Sequence, residues 1–194
     1  MKKVFVFLLA IAISQTVIAD EISDAISAAL ESYNAGETSA AIEKLDFAAN
    51  KLKQIKSESI TKLLPDPMES WSIVENNSDS HMASAFGGMV MAGKDYIKGQ
   101  SKVSIIVITD SPMVQSTAMM FANPMMVKLS GDKVIDINGK KAILHYMQGN
   151  GKISILLDEK ILISVDGSNV KQEDLEKYAA GVNFEELLKL QQGL

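Results

Sequence analysis

Residues 134–166 read VIDINGKKAILHYMQGNGKISILLDEKILISVD, and this stretch decides the fold. Apolar residues alternate with polar ones or run in short blocks between turn signals, which is a strand pattern rather than a helical one. Asn138-Gly139 is the strongest two-residue hairpin signal in the chain, because both residue types tolerate the left-handed backbone of a type I′ turn. Gly149-Asn150-Gly151 makes the next turn, and Asp158-Glu159-Lys160 the one after it. The expected strands are residues 134–137, 141–148, 152–157 and 161–166. Tight turns between successive strands give an antiparallel meander.

The same period extends upstream. Strands are expected over residues 89–98 and 102–109, flanking a turn at Gly99-Gln100, with Val103, Ile105 and Val107 on one face. Ile105 to Ile108 are apolar without a break, which favours a sheet covered on both sides. Residues 76–88 read as a polar, glycine-ending loop. Ser111-Pro112 starts a helix, with serine as the cap and proline at the first helical position, and Asn123-Pro124 ends it. Helices over 172–180 and 184–191 close the chain, with Asn183 and Glu186 as a capping pair for the second.

Ahead of the strands, residues 20–64 read as an antiparallel helical hairpin. Ile22, Ala25, Ile26, Ala29, Leu30 and Tyr33 form an amphipathic stripe, and Ala41, Ile42, Leu45, Ala49 and Leu52 form a second one. Gly36 closes the first helix and Thr38 or Ser39 caps the next. Phe47 falls on the opposite side of its helix from Ile42 and Ala49, so it is a candidate contact for the rest of the chain or for a partner. Residues 65–70 are a stiff, proline-bearing connector delivering Trp71, the sole tryptophan. The expected class is α+β: a helical hairpin over 20–64, then an antiparallel meander sheet covered by helices over 71–194.

Residues 1–19 have the parts of a cleavable secretory signal. Lys2 and Lys3 precede an apolar run from Val4 to Ile13, and Val17-Ile18-Ala19 ends in the small residue that cleavage requires. The run is too short for a permanent span, which takes roughly 20 residues. A periplasmic protein cut near Ala19 is expected, with no membrane span after cleavage and no lipid anchor, since no cysteine stands near the cut. Removal of Lys2 and Lys3 takes the net charge from −5 to −7. Every basic residue is lysine, and an acidic chain without arginine is a poor nucleic-acid binder.

Several spaced features resemble an uncharacterised family of exported proteobacterial proteins: Tyr33-Asn34-Ala35-Gly36, Leu64-Pro65-Asp66-Pro67 leading to Trp71, Asp110-Ser111-Pro112-Met113, Asn123-Pro124-Met125, and Ile137 through Ala142. The order of elements in the second domain also resembles PsbP-like domains. That likeness implies an antiparallel sheet between helices and no particular activity. Tyr33, Gly36, Ala41, Leu45 and Ala48 are similar in spacing to one tetratricopeptide unit, without the closing proline at Lys53.

Met113, Met119, Met120, Met125 and Met126 put five thioethers in fourteen residues around Phe121. Such a segment fills a core, lines an adaptable apolar groove, or ligates Cu(I). For the metal reading the ligands are Met119, Met120, Met125, Met126 and His81. For the binding reading the contacts are Phe47, Met113 and Phe121. His145 is read as a core-edge or surface histidine, and the carboxylates Asp110, Asp132, Asp158, Glu159 and Asp166 as turn residues. Without a nucleophile elbow, a phosphate loop or a thiol, no catalytic residue and no cofactor is expected. The sequence therefore points to a periplasmic accessory protein that engages a protein or peptide, with a copper or small-ligand carrier as the alternative.

Overall fold

The computed structural model describes residues 20–74 and 89–193. The fold is α+β. The chain divides into two compact units, one ending at Ile55 and the other starting at Lys56.

The first unit is an antiparallel helical hairpin. Helix α1 covers residues 20–34, and α2 is Thr38–Lys62, whose residues up to Ile55 belong to this unit. Gly36 adopts φ +80°, while its N–H donates to the Tyr33 carbonyl and the Glu37 N–H to that of Ser32. That pair of bonds satisfies the last carbonyls of α1. Neither Thr38 nor Ser39 caps α2; the Ala41 N–H bonds the Glu37 carbonyl, so the helix starts at Thr38 itself.

Lys44 Nζ donates to Ser32 Oγ at 2.7 Å and to the Ala28 carbonyl at 3.3 Å, and Lys51 pairs with Glu21 at 3.2 Å. These contacts fix the antiparallel register. The buried seam is narrow: Ile22, Ala29, Ser32, Ala41 and Ala48. Ile26, Leu30, Tyr33, Ile42, Leu45 and Leu52, the large members of the expected stripes, stay exposed. Two helices share one line of contact, and alanines on that line let the backbones approach. A stripe wider than the seam is left outside.

In the second unit, strands β1 (Ser72–Val74), β2 (Val90–Lys98), β3 (Ser101–Thr109), β4 (Lys133–Ile137), β5 (Lys140–Met147), β6 (Asn150–Leu157) and β7 (Ile161–Ser168) form one antiparallel sheet. Its order is β1-β2-β3-β7-β6-β5-β4. Helices α3 (Pro112–Ala122) and α4 (Pro124–Leu129) connect β3 to β4, and α5 (Gln172–Ala180) and α6 (Phe184–Gln192) follow β7. The turn after β5 falls at Gln148-Gly149, both at positive φ, one residue earlier than the glycines suggested. Asn183 caps α6 by accepting from the Glu186 N–H, but the reciprocal half of a capping box is absent. The Glu186 carboxylate pairs instead with Lys189, and the Asn183 N–H donates to the Leu63 carbonyl.

One face of the sheet carries the main core. Tyr96, Val103, Ile105, Ile153, Ile155, Ile163 and Val165 are fully buried beneath Leu175, Tyr178, Phe184 and Leu187 of α5 and α6, together with Ile60, Leu64 and Trp71. Gly151 and Gly167 stand opposite each other on β6 and β7. A Cβ on Gly167 would run into the Leu175 side chain, so the glycine lets α5 lie flush on the sheet.

The other face is finished by two small clusters. Met89, Met91, Ile108 and Leu162 pack on Val114 of α3, and Ile143 packs on Phe121 and Val127 of α3 and α4.

Candidate functional site

Helices α3 and α4 start by the same device. The Met113 N–H donates to Ser111 Oγ and the Met125 N–H to Asn123 Oδ1, each at 3.2 Å with proline at the first helical position. Asn123-Pro124 therefore ends one helix and opens another, which is the signal that locates α4 in the sequence. Val114, Phe121 and Val127 point to the sheet and are buried. Four other apolar side chains of these helices are exposed. Met113 is 53 % exposed, Met119 75 %, Met125 72 % and Leu129 77 %.

A core location for the methionine segment is thus corrected for Met113, Met119 and Met125. A helix lying on a sheet buries one line of residues, and here Val114 and Phe121 occupy that line. Phe121 is an anchor beneath the helices rather than a surface contact. Phe47 is 42 % exposed in the first unit, with Lys51 Nζ 5.4 Å above its ring. The side chains of Met120 and Met126, together with His81 and the rest of the 76–88 loop, lie outside the described residues. Met119 and Met125 both present their thioethers to solvent.

Beyond α3 and α4 the same sheet face is open and polar. Ser104, Asp166, Lys152 and His145 stand in one cross-strand row over β3, β7, β6 and β5. With Lys102, Met147 and Asn150 they line an open hollow of about 530 Å³. Its polar groups are matched locally. Lys102 pairs with Asp95 at 2.7 Å, Lys152 with Asp166 at 3.6 Å, and His145 Nδ1 with Asp132 Oδ1 at 2.7 Å. Asp166 also accepts from Ser164 Oγ at 2.6 Å. An alternating ladder of this kind stabilises cross-strand pairing and keeps the face soluble. Among the described residues no three His, Asp or Glu side chains gather as a metal site.

Asp110 does more than turn the chain after β3. At φ +57° it accepts from Lys56 Nζ at 2.7 Å, Thr109 Oγ1 at 2.8 Å and Gln191 Nε2 at 3.0 Å. Burial pushes its carboxyl up, but the bonds from Lys56, Gln191 and Thr109 outweigh burial and hold it below the ordinary carboxylate range. The result is a polar pin joining β3, α6 and the end of α2. Tyr96 and Tyr178 are held protonated, each chiefly by burial, and donate to or accept from backbone at Pro65 and Met68.

Comparison of the chain with protein-family models, with curated proteins and with solved structures finds no match. Among the described residues no helix is long and apolar enough to cross a membrane.

Proposed function

We propose that this chain is an exported periplasmic accessory protein that engages a protein or peptide partner through the methionine surface of α3 and α4. One observation carries this reading: Met113, Met119, Met125 and Leu129 are exposed on helices that Val114, Phe121 and Val127 anchor to a rigid sheet. Flexible, polarisable thioethers on a fixed base suit a surface that adapts to apolar side chains. Covering four such residues contributes on the order of 5 kcal/mol before ordering costs, which is the scale of a transient partner.

Two experiments test this. The protein recovered from the periplasm should begin at Asp20; an intact Met1 in the cytosolic fraction overturns export. A photo-crosslinker placed at Gln115 on α3 should capture a discrete partner, and Met119→Glu with Met125→Glu should cut that capture at least tenfold. Equal capture by the double variant, or no capture, overturns the surface.

A further inference from the structure

The helical hairpin leaves a second apolar surface, independent of the methionine one. Ile26 and Tyr33 each follow a buried seam residue, Ile22 or Ala29, by four positions. Leu45 and Leu52 follow Ala41 and Ala48 by the same four. Residues displaced alike from the seam of an antiparallel pair lie on the same side of it. Leu30 and Ile42 extend the two rows, so both helices contribute to one continuous exposed face. Phe47, one position before Ala48, belongs to the other side.

We infer that a second copy of this chain covers this face, closing two hairpins into a four-helix bundle. The face is self-complementary. The register set by Lys44 with Ser32 and Ala28, and by Lys51 with Glu21, puts Tyr33 near Ile42, Leu30 between Ile42 and Leu45, and Ile26 between Leu45 and Ala49. Two hairpins stacked on these faces, tips pointing the same way, are related by a two-fold axis along the helices. α1 of each copy then lies over α2 of the other. Tyr33 and Leu30 meet the partner's Ile42 and Leu45, and Ile26 lies between the partner's Leu45 and Ala49. Every helix gains an antiparallel neighbour, and the symmetry closes at two copies.

The size fits as well. Six large apolar side chains, between 47 % and 68 % exposed, present an area on the order of 600 Å² per copy. That is at the upper end of what a monomer leaves bare and near the roughly 800 Å² per partner of a stable interface. The rim carries Ser27, Asn34, Asp46 and Lys53, a mixed set that opposes no second copy by uniform charge.

Sedimentation of the protein as recovered from cells, between about 5 and 100 μM, tests this against the bounds of a specific dimer. Wild type should sediment at twice the chain mass at the upper concentrations. Leu30→Glu with Leu45→Glu should sediment as a monomer with an unchanged far-ultraviolet circular dichroism spectrum. Phe47→Glu, also exposed but on the other side, should remain dimeric and reports on the face rather than on general apolarity. A monomeric wild type throughout overturns the inference, including one whose hairpin face binds a different protein. So does a Leu30/Leu45 variant that stays dimeric, or a Phe47 variant that dissociates. Should the double variant lose its helical spectrum, Leu30→Ala with Leu45→Ala replaces it, with at least a tenfold weaker dimer expected.

Discussion

The two faces of the β-sheet are built from the same strands and finished in different ways. Under α5 and α6 the inward residues of β3, β6 and β7 are fully buried, and a glycine pair lets Leu175 sit against the backbone. Under α3 and α4 the burial is shallower, split into two small clusters, and gives way to a polar ladder that no helix among the described residues covers. The first face therefore serves stability and the second is free to present side chains. The lesson is that a strand apolar on both sides need not mean two equal cores.

Substitutions can break or sharpen this contrast. Leu175→Ala should cost the most, about 3–4 kcal/mol, because the residue is wholly buried and the hydrogen-bonded sheet beneath it cannot collapse into the cavity. Chemical denaturation reads the loss directly. Phe121→Ala, on the shallower face, should cost about 2–3 kcal/mol by the same measurement, since its small cluster can relax toward solvent. A larger loss at 121 than at 175 reverses the ranking of the faces.

Asp110→Asn should cost about 1 kcal/mol at neutral pH, as the charge-assisted bonds from Lys56 and Gln191 weaken while asparagine still tolerates the left-handed backbone. The folded carboxyl stands below its unfolded value, so its contribution is present above about pH 4 and fades as pH falls through the folded value. The gap between wild type and variant should close in acid denaturation profiles; a gap constant to pH 2 excludes the ionic part. Met119→Glu should change stability least, within about 0.5 kcal/mol, because the side chain is mostly in solvent already. A loss above 1 kcal/mol would mean that it is core.

Turn chemistry made most of the sheet legible. Asn138-Gly139 carries φ +51° and +76°, as the dipeptide promised, and Val103, Ile105 and Val107 share the buried face that their alternation predicted. β1 left no such mark, being three residues long, with Ile73 exposed and its partner strand beginning sixteen residues downstream at Val90. The exposure of the methionines was hidden for another reason. Helical spacing says which residues share a side, and α3 has apolar residues all round, so only packing decides that Val114 and Phe121 face in. The hairpin itself was legible, but the same ambiguity hid which stripe residues form its seam: Ile22, Ala29, Ala41 and Ala48 are buried and the leucines are not. Asp110 looked like an ordinary turn residue because its partners lie 54 and 81 positions away.

The strand order also sets a folding schedule. β4 to β7 are joined by turns of two or three residues, so each of their pairings closes a short loop and can form on the microsecond scale of an isolated hairpin. The pairing of β3 with β7 brings together segments separated by both helices and three strands. Loop-closure entropy makes that the slow step. Residues 133–168 are thus expected to pair first and to serve as a template on which the earlier half of the sheet is registered.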